Sequence, residues 1–563
     1  MQIKNQLADL VKQAILSAQQ GKALPTFSVP EVLVERPQKK EMGDFATALP
    51  LKLAREAKRA PIQIAEAIVA HFPPSESVSR VQAAAPGFVN ITLSDAWIAR
   101  QVEAILLEGE QYGKVEPERR ERIQVEYVSV NPTGPMHVGS GRNAAIGDTL
   151  SNILEAAGQD VSREFYINDN GSQIVHFGAS LYATYAQAFG VDEQIPEDGY
   201  HGQYVVEMGK QYAGEYGRKF LEMPRNDAVR ELGILGIASV LAHLRETLAR
   251  MNVHLDEWFS ERSLYQSGLF EKVLKILKDK GLIYEKDDAT WFAAHELGEE
   301  KDAVIIRSPK VIADPELRPT YLASDVAYAW SKLSVRGFDR AIYVLGADHH
   351  GDAARIKAVA QALGLDPNRV VILLYQFVNL RRGGEAVKMS KRTGEFVTLD
   401  ELIDEVGPDA VRFMLISQSA NSTIDFDLDL AKKQSDENPV YYVQYAHARI
   451  ASILKHAAEL GITDAGGDVA LLTHPAELEL IRLMMRLPEM VEVAASRLEP
   501  HHLPHYAIEL AGVFHSFYKQ CRVVSSDPAD ESISRARLKL VVAAKNTLAR
   551  TLHLMGVDAP ETM

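Results

Sequence analysis

The sequence predicts an α/β protein. Its centre is a parallel-sheet, nucleotide-binding (Rossmann-like) domain with a helical insertion, flanked by a small N-terminal α/β domain and an all-helical C-terminal domain. Three observations predict it. A β-branched run, Ile123 to Val130, leads into Ala144 to Ala157, where Ile146, Leu150, Ile153 and Leu154 keep helical spacing. Strand-like Ser162 to Ile167 follows, completing the pattern of a βαβ unit. Two more parallel-type strands, Ala341 to Leu345 and Val370 to Leu374, lie beyond a polar, mainly helical stretch. From about Asn438 onward strand signals vanish and long amphipathic helices take over.

Taken in order, residues 1–115 read as a separate α/β module. Leu7 to Ala18 and Pro61 to Ala70 are helix-like, Val29 to Val34 and Phe88 to Leu93 strand-like, and a polar stretch from Glu108 to Glu121 closes the module. Residues 116–400 hold the nucleotide fold, with the insertion near 171–318. Residues 401–437 connect it to a helical domain over 438–563, where Val443, Ala446, Ile450, Ile453 and Leu454, then Tyr506, Leu510, Val513, Phe514 and Phe517, form apolar stripes. At 563 residues, 46% hydrophobic and 24% charged, the composition is that of a globular protein of several domains. The single cysteine, Cys521, rules out an internal disulfide or a cysteine-cluster zinc site and suits a reducing compartment. Met1 to Leu10 lacks an apolar signal core, and no run approaches the ~18 apolar residues of a membrane span. The expectation is a soluble cytoplasmic protein with no membrane contact, working as a monomer. The net charge of −15 weighs mildly against nucleic acid, although local basic patches can still bind it.

Asn131-Pro132-Thr133-Gly134-Pro135-Met136-His137-Val138-Gly139-Ser140 lies between the first strand and its helix. A crevice opens there at the carboxyl end of a parallel sheet, and helix N-terminal amides favour phosphate. Gly139 allows close backbone approach, and His137 can donate to a phosphate oxygen. The bland reading is a Pro/Gly loop capped by Ser140. Gly139, Gly141 and Ala144 also spell a dinucleotide fingerprint, but about eight residues separate them from the strand, which disfavours a dehydrogenase. Lys388-Met389-Ser390-Lys391-Arg392, flanked by Gly383, Gly384 and Gly394, stands about 250 residues after His137. Alone it is a solvated basic turn. In a second nucleotide-binding half it can neutralise a leaving pyrophosphate.

These two elements resemble the His-Ile-Gly-His and Lys-Met-Ser-Lys-Ser motifs of class I aminoacyl-tRNA synthetases, and within that class the arginyl-tRNA synthetases, over nearly the whole chain. Supporting stretches are Gly43-Asp44-Phe45-Ala46, Tyr166-Ile167-Asn168-Asp169-Asn170-Gly171, Thr320-Tyr321-Leu322-Ala323-Ser324-Asp325 and Gly346-Ala347-Asp348-His349-His350-Gly351. Asp409-Ala410-Val411-Arg412, Tyr442-Val443-Gln444-Tyr445-Ala446 and Gly556-Val557-Asp558-Ala559-Pro560-Glu561 complete the set. The resemblance implies ATP-dependent ligation of L-arginine to the 3′ end of tRNA(Arg) through an arginyl-adenylate. Its partners would be ATP, arginine and tRNA(Arg), with Mg²⁺ arriving on ATP. It places His137, Lys388 and Lys391 in catalysis, and Pro135, Gly139, Ser140, Gly346, Asp348, His349, Met389 and Ser390 around ATP. No dedicated metal site is expected, since adjacent His349 and His350 rarely both face one ion. Ser140 stands where the family usually has a second histidine, a loss that Arg142 or the Lys388/Lys391 pair could meet.

A guanidinium needs carboxylates and a flat or hydroxylated partner. Glu126 lies within an apolar strand, and Asp325 follows Tyr321 by one helical turn. By resemblance Tyr321 and Asp325 hold the guanidinium, and Asn131 with Ser129 holds the α-amino and carboxylate groups. Glu126 contributes to the same site. The other reading makes Glu126 and Asp325 buried ion-pair partners of Arg or Lys. The insertion is too short for a large editing barrel, which fits a polar substrate that one site can select. Tyr441, Tyr442, Gln444, Tyr445 and Arg449 are candidate tRNA contacts or, equally, core residues. The N-terminal module is expected at the tRNA corner. Two other readings stay open: a related nucleotidyl transferase without a tRNA-binding domain, and a silent tRNA-binding paralogue hinted at by Ser140.

Overall fold

A computed structural model describes residues 3–297, 301–312, 318–387 and 397–563. In the first module α1 (Ile3–Gln20) buries Leu7, Val11, Ala14, Ile15 and Ala18, one stripe at helical spacing. A three-stranded antiparallel sheet, order β1-β3-β2, is built from β1 (Phe45–Thr47), β2 (Val78–Ala84) and β3 (Phe88–Leu93). Helices α2 (Leu49–Ala57), α3 (Pro61–Ala70) and α4 (Asp95–Glu108) surround it, the last capped by Ser94, whose hydroxyl accepts the Trp97 N–H at 3.4 Å. The strand expected over Val29 to Val34 is absent. Pro30 has no N–H to give a ladder, and this segment makes only a single bridge further on, at Glu35.

The catalytic-type domain is organised by five parallel strands. They are β4 (Arg122–Glu126), β5 (Asp160–Ile167), β6 (Glu257–Ser260), β10 (Arg340–Gly346) and β11 (Val370–Tyr375), in the order β11-β10-β4-β5-β6. Strand β4 is buried on both faces after Arg122, as a central parallel strand should be. Chain order reverses between β10 and β4, so a crevice opens at their carboxyl ends. The first crossover helix, α5 (Val138–Ala156), starts at that crevice.

Between β5 and β6 lie α6 (Ser172–Gln187), α7 (Gln203–Tyr216) and α8 (Arg225–Arg250). By length and composition α8 could cross a bilayer, but its apolar face packs on α6. The stretch expected as one helical insertion over 171–318 therefore divides. Its β6 is a core strand, and after α9 (Glu261–Gln266) and α10 (Leu269–Asp279) it forms a small antiparallel sheet. That sheet comprises β7 (Ile283–Lys286), β8 (Ala289–Phe292) and β9 (Ala303–Ile306). Next, α11 (Tyr321–Trp330) runs into a π-helical turn over Ser331–Val335, and α12 (His350–Ala362) links β10 to β11.

Beyond the sheet, β12 (Val378–Arg382) pairs with β13 (Glu385–Ala386) and, after α13 (Leu399–Val406) and α14 (Pro408–Ile416), with β14 (Ile424–Asp427). A short α15 (Leu428–Ala431) precedes the helical domain. That domain holds α16 (Pro439–Glu459), α17 (Pro475–Met484), α18 (Leu487–Arg497), α19 (His502–Gln520) and α20 (Glu531–Leu554).

Three sequence motifs are spent on joining these domains. Arg412, fully buried, donates to the carbonyls of Met555 (2.7 Å) and Met251 (2.7 Å) and to Asp148 Oδ2 at 2.5 Å. Gly556, at φ +66°, packs so closely on that guanidinium that a Cβ would overlap it. Asp44 of the first module accepts from Arg482 Nε at 2.8 Å, while Arg36 and Glu489 make a paired clasp at 2.8 Å each.

Candidate active site

The loop leaving β4 is held in an unusual shape. Val128 and Ser129 both have positive φ, +67° and +42°, and a β-branched residue there is strained. The strain is contained by fixed partners. The Asn143 Oδ1 accepts the Val128 N–H at 2.7 Å, while its amide donates to the Val344 carbonyl at 2.9 Å. Ser129 Oγ accepts the Tyr166 N–H at 3.1 Å and donates to Glu126 Oε1 at 3.2 Å. Asn131 is exposed at the crevice, its Oδ1 accepting from Asn168 Nδ2 at 2.9 Å.

His137 caps α5, its Nδ1 accepting the Ser140 N–H at 3.3 Å. That assignment leaves the ring proton on Nε2. His137 is exposed, Pro135 and Gly139 are half-buried and Ser140 is buried. A Cβ at Gly139 would meet the His137 ring at 3.0 Å. Lys388, Met389, Ser390 and Lys391 lie outside the described residues, but the segment that follows them is tied to this loop. His137 and Thr398 form an antiparallel bridge, and the Leu399 N–H donates to the Met136 carbonyl at 2.8 Å. Gly346 ends β10, and Asp348 folds back over it, with Asp348 and His349 exposed at the same rim.

Arg142 does not stand in for a phosphate-binding histidine. It is fully buried, and its guanidinium donates to the carbonyls of Gln376 (2.6 Å), Ser422 (2.8 Å) and Ser419 (2.9 Å). Burial without an acidic partner lowers it to about 10. The compensation for Ser140 expected from Arg142 is thereby corrected, because the side chain is already used to pin two loops.

Tyr321 and Asp325 share one face of α11, and Gln173 Nε2 donates to the Tyr321 hydroxyl at 3.1 Å. Beside them is a carboxylate that sequence reasoning missed. Glu261, 4% exposed, follows β6 directly and accepts from Ser324, whose hydroxyl also meets that of Tyr265 at 2.7 Å. Burial, joined by the charges of Asp325 and Asp169, pushes the Glu261 carboxyl up to about 7. Its Oε2 and the Tyr166 hydroxyl are buried polar atoms with no hydrogen-bond partner among the described residues. Burial and the charges of Glu261 and Asp325 also raise the Tyr166 hydroxyl. Glu126, by contrast, is 7% exposed and its Oε2 accepts from the fully buried Lys332, a buried ion pair. Glu164 is paired likewise with Arg336 and Tyr328.

Three family models match successive stretches that together span nearly the whole chain. Residues 3–93 match the arginyl tRNA synthetase N-terminal domain, 101–434 the class I tRNA synthetase (R) catalytic domain and 443–563 the DALR anticodon binding domain. A curated arginine–tRNA ligase of Dehalococcoides mccartyi is 49% identical over 561 residues, covering 100% of this chain and 99% of its own. The chain belongs to the arginyl-tRNA synthetase family. Another such ligase, from Carboxydothermus hydrogenoformans, is 45% identical and covers 94% of each chain. Among solved structures, a putative arginyl-tRNA synthetase from Campylobacter jejuni superposes with a TM-score of 0.75 at 31% identity, covering 84% of this chain and all of its own. The Thermus thermophilus arginyl-tRNA synthetase shares the fold, with a TM-score of 0.73 over 99% of this chain at 24% identity. The protein is therefore an arginine–tRNA ligase of translation, with a class I parallel-sheet core and a helical anticodon-binding domain.

In that helical domain Tyr441 and Tyr445 stack with ring centroids 6.1 Å apart and planes 8° apart. The Arg449 guanidinium lies 4.7 Å over Tyr445 and 5.7 Å from the Tyr518 ring. Tyr445, Arg449, His456, Tyr518, Lys519 and Arg522 line an open cavity of about 850 Å³. Tyr442 turns instead to His515, ring centroids 5.1 Å apart. Gln444 is not a surface contact. It is buried, and its amide donates to Asp409 Oδ2 (2.7 Å) and the Asp558 carbonyl (2.9 Å), which corrects its placement among tRNA-facing residues.

Proposed function

We propose that the carboxyl edge of the parallel sheet binds arginine and ATP as follows. Asp325, Glu261 and Tyr321 receive the guanidinium. Ser129 and Asn131, on the strained loop, hold the α-amino and carboxylate groups. His137 Nε2 and the 388–391 segment stabilise the phosphates, and Gly346 and Asp348 the ribose. Mg²⁺ comes bound to ATP and calls on no side chain named here. The observation that carries this reading is a pair of buried atoms beside Asp325, Glu261 Oε2 and Tyr166 Oη, that have no hydrogen-bond partner among the described residues. Leaving such groups unmade costs about 1–3 kcal/mol each, so a ligand with several N–H donors gains most by filling the place. A guanidinium does so in a fixed fork, whereas a lysine ammonium is a point charge.

The arginine carboxylate oxygen attacks the α-phosphorus and pyrophosphate leaves; the terminal ribose hydroxyl of the tRNA then attacks the acyl carbon and AMP leaves. Neither step needs a covalent enzyme intermediate, so positioning and charge stabilisation carry the rate. Tyr441, Tyr445 and Arg449 offer stacking faces to unpaired bases of tRNA(Arg). A lone buried cysteine, Cys521, supports a reducing, cytoplasmic setting, and the enzyme works there as a monomer. The test is ATP–pyrophosphate exchange with each amino acid, with and without tRNA. Exchange confined to arginine supports the reading. Equal exchange with lysine, or none with arginine in the presence of tRNA, sinks it.

A further inference from the structure

Lys332 is fully buried, in the π-helical turn that ends α11, the helix that also carries Tyr321 and Asp325. Its ammonium lies 3.9 Å from the centroid of the Tyr328 ring and 3.6 Å from that of Tyr343, between two aromatic faces. It also donates to Glu126 Oε2. Glu126 Oε1 accepts from Ser129 Oγ at 3.2 Å, and Ser129 is, with Val128, one of the two residues of that loop with positive φ. The chain of contacts thus runs from a charge sealed in the core to the loop that presents Asn131 and leads into His137.

We propose that Lys332 is a positioning residue for arginine activation, acting through Glu126 and Ser129 to hold the substrate loop in its strained, productive shape. The assignment rests on the reading of Ser129 and Asn131 as ligands of the arginine α-groups. Its physical basis is charge balance in a dry place. Glu126 and Glu164 are two buried carboxylates, and Lys332 and Arg336 are the two cations that match them. The substrate brings two more cationic groups to the same neighbourhood. A Glu126 already satisfied by Lys332 stays below the pocket and orients the Ser129 hydroxyl. An unpaired Glu126 would draw the substrate ammonium toward itself and let Val128 and Ser129 relax out of the left-handed region. A π turn, which inserts one residue per turn, is a common way for a helix to place one side chain against its register at a functional site. The two tyrosine faces hold the ammonium against the Glu126 carboxylate.

The test compares Lys332→Met, Glu126→Gln and the double variant in arginine-dependent pyrophosphate exchange, with melting temperature measured on each. Lys332→Met keeps the stem against both rings and removes the charge. The expected result is a loss in kcat of about 100-fold, the scale of a misplaced reacting group, with the KM for arginine changed less than about 3-fold. The double variant removes both charges, so its melting temperature is expected to return toward the parent while kcat stays at least about 30-fold low. Recovery of kcat together with melting temperature would overturn the proposal, since Lys332 would then serve stability alone. So would a rise in the KM for arginine that accounts for the whole loss, because Glu126 and Lys332 would then meet substrate directly. Asn131→Ala separates the underlying reading: an unchanged KM for arginine in that variant removes Asn131 from the pocket, while the kcat split at Lys332 is judged by itself.

Discussion

Tyrosine and arginine are used in opposite ways at the two ends of this molecule. Around β4 and β10, Tyr328 and Tyr343 are buried, and Arg142 and Arg412 are fully buried, each fixed by several backbone carbonyls. On α16 and α19, Tyr445 and Tyr518 stand about a third exposed (36% and 38%) with Arg449 between them. A buried ring or guanidinium has spent its faces on neighbours, so it positions something else. An exposed cation–aromatic stack keeps faces in hand, and binds by covering them. The same two residue types therefore foretell different losses when they are cut back.

The largest loss belongs to the buried end. Arg412→Met is expected to destabilise the protein by about 3–5 kcal/mol, because it takes from buried Asp148 its shortest charged partner and from three carbonyls the guanidinium that donates to them. Urea unfolding reads this, and a change under ~1 kcal/mol would break the contrast. Next comes the substrate pocket. Asp325→Asn should cut kcat/KM for arginine by roughly 100-fold, about 2.7 kcal/mol, with the KM for ATP little changed. If the KM for ATP rises in step, Asp325 is not where arginine is read. At the exposed end, Tyr445→Ala should weaken tRNA binding by about 1–3 kcal/mol, the worth of one stacked base, and leave the melting temperature alone. Gln444→Leu sharpens the same contrast in reverse: a lower melting temperature with little direct effect on tRNA affinity.

The smallest effect is set by Glu261. Its folded-state carboxyl sits near 7 against 4.5 for the free group, so it is protonated in the empty protein below about pH 7. The folded state thus binds more protons than the unfolded chain between those values, and stability falls as pH rises through them. A guanidinium binds the ionised form better. The KM for arginine should fall about tenfold from pH 6 to pH 8, with a proton released on binding near pH 6. Glu261→Gln should flatten that profile; a profile that stays steep places the titrating group elsewhere.

Much of the architecture could be read before any coordinates, for reasons the residues make clear. The βαβ unit and the last helices announce themselves because each buries one face at a regular period. Tyr321 and Asp325 could be paired because a helix puts residues four apart on one side. The failures are equally physical. Strand β6 is four residues, Glu-Trp-Phe-Ser, too short to show a period, so neither it nor the Glu261 that follows it stands out in the sequence. Lys332 looks like any solvated lysine on a helix, since its burial depends on the π turn and on Tyr343 from another strand. Gln444 and Arg142 are polar residues beside functional motifs, and only their distant partners, Asp558 and Ser422, reveal that they join parts of the fold.

The Arg412 junction also bears on how the enzyme is made. The carbonyl that Arg412 takes from Met555 belongs to a residue 143 positions later in the chain. At a synthesis rate of about 5–20 residues per second, roughly 7–30 s pass between the two leaving the peptidyl transferase centre. Throughout that interval the guanidinium has Asp148, Met251 and Asn252 but lacks the Met555 carbonyl, and the sheet domain waits with an open seam. The nascent catalytic domain is therefore finished last, by the final helix of the anticodon-binding domain, and an interrupted chain leaves behind a core that was never closed.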